Sequence, residues 1–354
     1  MHDRRNCVLG TPGMVSNPRA LDAQALASRL KVYAAPSHRR SLLQLTTTAT
    51  AFIALWLAMW AFIDDAYAVS LLLAAPAAAL MVRLFIIQHD CGHGSYFRKR
   101  WANDLVGRLI GIVTLTPYDY WRRAHAVHHA TSGDLSRRGV GDITTLTVAE
   151  YRCLGRWRRL LYRLYRHPLV LFGVGPAYLF MVKHRWPTEL PILKSGLWRS
   201  LMLTNAAIGA IAVGLALLIG PVDLLKMQLP VALLASSMGV WLFFVQHQFA
   251  DGRWWRGGDW RHGEAALHGS SYYLLPLPLQ WLTASIGLHH VHHLCSRIPN
   301  YRLQECLEAI PELKRVGRLS LMDSLRSVRL SLWDEEAGRF VGFREARHSG
   351  TRSS

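Results

Sequence analysis

Four apolar runs punctuate the chain. Residues 45–63 read LTTTATAFIALWLAMWAFI and residues 68–87 read AVSLLLAAPAAALMVRLFII; two further runs cover 201–219 and 229–250. Each is near the roughly 20 residues that carry a helix across a bilayer. Arg83 is the only charge in the second run and lies near its end, where a long side chain can snorkel. A shorter run, 168–182 (PLVLFGVGPAYLFMV), is interrupted by Gly173, Gly175 and Pro176. It suits an interfacial or re-entrant helix better than a full span. The first long apolar run begins only after residue 43, which does not fit a signal peptide.

The polar links between the runs are of two kinds. The link IDDAYA holds two Asp and no base, and the only base in 220–230 is Lys226. By contrast, residues 1–44 carry seven Lys/Arg, residues 89–197 carry 17 and residues 250–354 carry 14. Basic segments stay on the cytoplasmic side of a membrane, so the pattern predicts two hairpins whose short turns face away from the cytoplasm. A buried core helix is the soluble alternative for any one run, but the alternation of charge with the runs argues against it. The expected fold is all-α: a multi-pass membrane protein with about four transmembrane helices in two hairpins plus a cytoplasmic helical cap. Its expected divisions are a cytoplasmic N-terminal segment (1–43), a membrane domain (44–310) and a cytoplasmic C-terminal segment (311–354). Within the membrane domain lie a first hairpin (44–88), a cytoplasmic segment (89–197) and a second hairpin (198–250). The ends, roughly 1–40 and 340–354, read as mobile tails.

Composition agrees with this picture. Of 354 residues, 51% are hydrophobic and 18% charged, with a mean hydropathy of +0.13. That excludes a disordered chain and an ordinary cytosolic globule. The net charge of +18 follows the topology instead of forming one stripe on a soluble fold, so a nucleic-acid partner is not expected. Five unpatterned cysteines fit a reducing compartment.

The 17 histidines change the picture most, because the majority fall in tight clusters. QHDCGHGSYF places His89 and His93 four residues apart. On a helix they share a face, with Cβ atoms about 6 Å apart; on a strand they would be about 13 Å apart. WRRAHAVHHA places His125, His128 and His129 at i, i+3 and i+4, on one helical stripe. GLHHVHHLCSRIPNYRL places His289, His292 and His293 at the same spacing, with His290 turned away as a bystander. Eight imidazoles in three groups, each at or beyond a membrane exit, are enough for two metal ions with positions left open for oxygen. A ninth candidate is His247, at the end of the fourth run; His268 competes for that role, and His262 lies nearby. Glu264 and His268 are i, i+4, but no Glu-x-x-His pair occurs, which disfavours a carboxylate-rich di-iron bundle. Asp90 is placed to fix the tautomer of a ligand; Asp119, Asp134 and Asp142 are weaker candidates of the same kind. Cys91 and Cys295 read as free thiols rather than ligands. His2, His38, His167, His184 and His348 read as structural or solvent-facing.

HDCGH (89–93), HxxHH (125–129) and HxxHH (289–293) on a chain with two hydrophobic hairpins resemble the membrane fatty acid desaturase family. Around the third box, and at QHQF (246–249), the chain is similar to bacterial acyl-lipid omega-6 (delta-12) desaturases. The resemblance implies two non-haem iron ions held by His89, His93, His125, His128, His129, His289, His292 and His293, with His247 as the further ligand. It departs at Ala250, where related chains often carry an acidic residue; Asp251 is the nearest replacement. The implied reaction is O2-dependent removal of two hydrogens from neighbouring methylenes of a fatty acyl chain, giving a cis double bond. Aromatic residues (13 Trp, 12 Tyr, 11 Phe) are available to line a narrow acyl channel or to anchor the membrane interface.

No HPGG haem signature and no glycine-rich nucleotide fingerprint occurs, so the electrons come from a separate ferredoxin or cytochrome b5-like donor. The segment 152–166 (RCLGRWRRLLYRLYR) suits either such a donor or, better, anionic headgroups. A hydroxylase or ketolase on the same scaffold is the nearest rival reading. A non-enzymatic membrane metal-binding or transport protein is the rival of another class, although transport would place histidines inside the spans.

Overall fold

The computed structural model describes residues 21–190 and 196–347. Its helices are α1 (Ala23–Leu30), α2 (His38–Ala61), α3 (Tyr67–His93), α4 (Arg100–Val113), α5 (Tyr118–Thr131), α6 (Val148–Cys153), α7 (Arg156–Tyr165), α8 (Gly175–Met181), α9 (Leu197–Ile219), α10 (Pro221–His247), α11 (His262–His268), α12 (Leu277–Leu282), α13 (His289–Leu294), α14 (Leu303–Ala309) and α15 (Leu321–Ser327). Five strands of two or three residues trim the edges: β1 (Leu146–Thr147), β2 (Tyr272–Tyr273), β3 (Arg318–Leu319), β4 (Leu332–Asp334) and β5 (Arg339–Val341). They pair as β1-β4-β5 and β2-β3. The molecule is helical wherever length matters, as the apolar runs predict.

Four helices, α2, α3, α9 and α10, are long and apolar enough to cross a membrane. Helix α3 is packed on α2, α4 and α10. Helix α9 is the opposite case: no residue of its most apolar stretch is buried against protein, and Leu217 is 84% exposed. An apolar helix without protein cover is stable only where the surrounding medium is itself apolar. The chain is an integral membrane protein.

The second hairpin departs from the sequence expectation. The link at 220–230 is not a loop, because α10 starts at Pro221 and includes Asp223 and Lys226. The turn is Gly220, at φ 88°. Proline is favoured at the first helical position, where its missing N–H costs nothing, and the Asp223–Lys226 pair at 3.0 Å lies on the first turns. The segment 168–182 does not span. It forms a π-helical turn (Val170–Val174) and then α8, both packed on α10.

The tail reading needs correction at both ends. Helix α1 carries Leu26 and Leu30 into a core with Leu267, Val291 and Leu307, and β5 pairs antiparallel with β4. Two buried leucines four apart are enough to dock a short helix. Residues 1–20 and 348–354 of those segments, with His2 and His348, lie outside the described residues.

Two contacts fix the helices that bear the first two histidine boxes. Helix α3 ends on Gly94 at φ 67°, the left-handed cap that glycine favours, and Ser95 N–H closes the turn on the Asp90 carbonyl at 3.0 Å. Helix α4 presents Gly107 to α5, where an added Cβ would lie 2.3 Å from the Tyr118 ring. The space lets Tyr118 reach across and donate to the Cys91 carbonyl at 2.9 Å.

Candidate metal centre

Nine imidazoles from α3, α5, α10 and α13 converge at one end of the bundle and form two groups. His89, His93, His125, His129 and His292 make the first; His128, His247, His289 and His293 make the second. Within each group, one nitrogen per ring lies within 4.8 Å of all the others. The groups adjoin, with the His129 and His293 rings stacked at 4.1 Å.

The sequence expectation of one stripe per HxxHH box is too simple. At 100° per residue, positions i and i+4 lie about 40° apart, while i+3 lies about 60° to the other side. Each box therefore splits. His125 and His129 enter the first group and His128 the second, whereas His289 and His293 enter the second and His292 the first. The two boxes are complementary, each giving an i, i+4 pair to one group and its i+3 residue to the other.

Outer contacts orient three of these rings. His89 Nδ1 faces Asp90 Oδ1 at 3.2 Å, His128 Nδ1 faces Asp142 Oδ1 at 2.6 Å and His247 Nδ1 faces the Gly269 carbonyl at 3.3 Å. A ring that donates from Nδ1 to an oxygen keeps a bare lone pair on Nε2. His128 Nε2 and His289 Nε2 nevertheless lie 3.1 and 3.0 Å from His247 Nε2. His89 Nε2 and His93 Nε2 are buried with no hydrogen-bond partner among the described residues. Inward lone pairs at this density fit a cation between them, so the donor set suits a metal ion in each group. The rings beyond the spans are in the right state. Burial, reinforced by neighbouring imidazoles, holds His125, His129, His289, His292 and His293 well below the usual histidine range and therefore neutral.

Asp142 is the most consequential outer partner. Burial works to raise its carboxyl, but the contact with His128, the Gly139 N–H and the nearby His247 together outweigh this and hold it below the ordinary range. Asp142→Ala is expected to weaken metal binding at the second group by about 10–100-fold, measured by titrating metal into stripped protein. Unchanged affinity would show the contact to be incidental.

Side chains other than the histidines hold the scaffold. Asp90 Oδ2 accepts from Asn300 N at 2.6 Å and Asn300 Nδ2 at 2.8 Å, tying the first box to the loop after the third. The glutamines flanking His247 point elsewhere: Gln246 donates to the Ile286 carbonyl at 3.1 Å, and Gln248 accepts from buried Arg166 at 2.5 Å. Their partners lie 40 and 82 positions away in the chain, beyond the reach of local patterns.

Other candidates are placed apart. His268 lies 3.6 Å from Glu264 and belongs to neither group. His290 Nε2 donates to the Leu313 carbonyl at 3.0 Å. Asp119 pairs with Arg108 at 2.9 Å and Asp134 with Arg137 at 2.6 Å. Asp251 is exposed. Cys91 is buried and Cys295 half-buried, both as free thiols.

A cavity of about 650 Å³ runs beside the groups between α3, α5, α8 and α10, with His89 and His289 in its wall. Its lining is mostly apolar and includes Phe85, Trp121, Phe180 and Phe243. Trp121 stacks on His125 at 4.6 Å, and Phe243 lies 5.1 Å from both His128 and His247. One aromatic therefore guards each group where it meets the cavity.

Fold and site together define an integral membrane protein with a di-metal histidine centre beside an apolar tunnel. Residues 66–319 match the family model "Fatty acid desaturase". The chain is 42% identical over 323 residues to the fatty acid desaturase of Bacillus subtilis (strain 168), covering 91% of each protein. It is 31% identical over 242 residues to an sn-1 acyl-lipid omega-3 desaturase (ferredoxin) of Synechocystis sp., covering 64% of this chain and 63% of that one. It is 29% identical over 251 residues to a chloroplastic omega-3 fatty acid desaturase of Glycine max, covering 66% and 52%. The chain belongs to the fatty acid desaturase family and is an oxidoreductase.

Proposed function

We propose that the protein inserts a cis double bond into an acyl chain of a membrane lipid, consuming O2. The observation that carries this reading is the apolar cavity whose wall contains histidines of both groups, His89 and His289. The proposed iron ligands are His89, His93, His125, His129 and His292 for one ion, and His128, His247, His289 and His293 for the other. Such a pair supplies the redox chemistry that acid–base side chains lack. The balance is one O2, two electrons and two protons in, with –CH2–CH2– becoming –CH=CH– and two waters leaving.

In this reading the chain's own residues position and protect. The cavity holds the acyl chain dry and fixes which methylenes lie beside the imidazoles. Trp121 and Phe243 orient the rings they touch and keep water from the groups. Asp90 and Asp142 hold their partners' Nδ1 protons, so that the other nitrogen faces inward. The electrons come from a ferredoxin or cytochrome b5-like donor; the Synechocystis relative's name includes ferredoxin. The boxes and termini are assigned to the cytoplasmic side on the charge pattern. Helix α7 is assigned to anionic lipid, since Trp157, Leu160, Leu161 and Leu164 are exposed among its arginines.

The position of the new bond is proposed as omega-6 (delta-12)-like from the residues around the third box, although the position-bearing relatives quoted are omega-3. Fatty acid profiling of a host lacking polyunsaturates decides between them. The expected result is a new diunsaturated acyl chain in the membrane lipids that depends on this chain's expression. Oxygenated acyl products instead would make it a hydroxylase or ketolase, and no new product would overturn the reading.

A further inference from the structure

The cavity wall is not apolar throughout. Where α8 leads toward α9 it meets Lys183, His184 and Glu189, with Tyr120 of α5 also in the lining. Lys183 and Glu189 form an ion pair with side chains 34% and 31% exposed, and Tyr120 donates to Glu189 Oε2 at 3.3 Å. Lys183 and Glu189 are exposed enough to form a mouth, with Tyr120 buried behind them. His184 is only 9% exposed and packs edge-on against Phe180 at 5.0 Å. Its Nδ1 is buried with no hydrogen-bond partner among the described residues.

An unpaired ring nitrogen in a buried site is costly unless a ligand satisfies it. Burial pulls His184 down to about 3, against an opposing contact with the Leu115 carbonyl, so the ring is neutral. A neutral imidazole has one bare nitrogen; with Nδ1 unpartnered, we assign the bare nitrogen to it. Among the described residues the local charges are two cations, Lys183 in the lining and Arg185 beside it, and one anion, Glu189. Arg185 is fixed by Asn205 Oδ1 at 2.9 Å and by the Leu115 carbonyl. A net charge of about +1 balances one phosphodiester, but not the several phosphates of a nucleotide-linked thioester.

Resting on the desaturase reading, we propose that this end of the cavity seats the head group of a glycerophospholipid carrying an N–H or O–H donor. One acyl chain then runs from the mouth to the imidazoles. The head-group donor meets His184 Nδ1, and the phosphate lies near Lys183.

The test uses the full-length protein in detergent with four dioleoyl or oleoyl probes: phosphatidylethanolamine, phosphatidylglycerol, phosphatidylcholine and oleoyl-CoA. Binding is read by native mass spectrometry. The donor-bearing ethanolamine and glycerol lipids are expected to bind about tenfold tighter than the choline lipid, the worth of one hydrogen bond. Oleoyl-CoA should bind weakest. His184→Phe should erase the preference, and His184→Gln, which keeps an acceptor, should retain most of it. Lys183→Met should weaken all three phospholipids by roughly threefold, a separate check should the His184 variants misfold. Equal binding of ethanolamine and choline lipids by the parent protein, or a preference that survives His184→Phe, would overturn the proposal. Failure of the desaturase reading would show differently: no double bond in any probe when O2 and a reduced ferredoxin are supplied, whatever the binding order.

Discussion

His128→Ala empties one imidazole group and leaves the other filled. The second group has four rings, and His128 is the one that Asp142 orients at 2.6 Å. Its loss leaves three ligands and a half-buried carboxylate with no ring to hold. Iron content is expected to fall from about two to about one per chain, and product formation to fall more than about a hundredfold, beyond the range typical of losing an outer partner. His125→Ala is the matching experiment on the first group. The two variants should lose different ions, which spectroscopy of the remaining iron can distinguish. A His128→Ala protein with full iron and full activity would refute the division into two groups.

Gly239→Phe is expected to produce the second large effect, by a different route. Gly239 lies on α10 in the cavity wall, and a Cβ added there meets nothing within 4 Å. The Cβ has open space around it, and a phenyl ring is expected to project into the acyl space. Phenylalanine is also a better helix former than glycine, so thermal stability should hold or rise. Product from an 18-carbon chain should fall about a hundredfold, since displacing the reacting carbons by an ångström has that scale of effect. Iron content should stay at the parent level. That combination separates a blocked tunnel from a damaged metal centre; an unchanged fatty acid profile would mean the acyl chain runs elsewhere.

These two experiments probe features that the sequence revealed to different degrees. The spans are legible because roughly 20 apolar residues in a row have few other uses, and the three boxes because helical spacing brings their rings together. The start of α10 is not legible from hydropathy: Asp223 and Lys226 lie ahead of the apolar run at 229–250, yet the backbone is helical from Pro221. The division of each HxxHH box depends on which way its helix is rotated, and that is set by packing. Tyr118 filling the space at Gly107 is one such contact. On paper His268 competes with His247. Only the fold places His247 Nε2 at 3.0 Å from His289 and leaves His268 beside Glu264. Asn300 and Asp90 are 210 positions apart in the chain, and their bond has no local trace. His184 looked like an isolated histidine because the cavity it lines is assembled from four separate helices.

The account stands on the nine convergent imidazoles holding redox-active metal. The most direct measurement is the metal content and iron spectroscopy of the full-length protein, purified without added chelator and again after stripping and reloading. The account predicts about two irons per chain in nitrogen-rich surroundings, with double-bond formation lost on stripping and restored on reloading. Protein that takes up no iron, or that still makes the double bond after complete removal of metal, would contradict it.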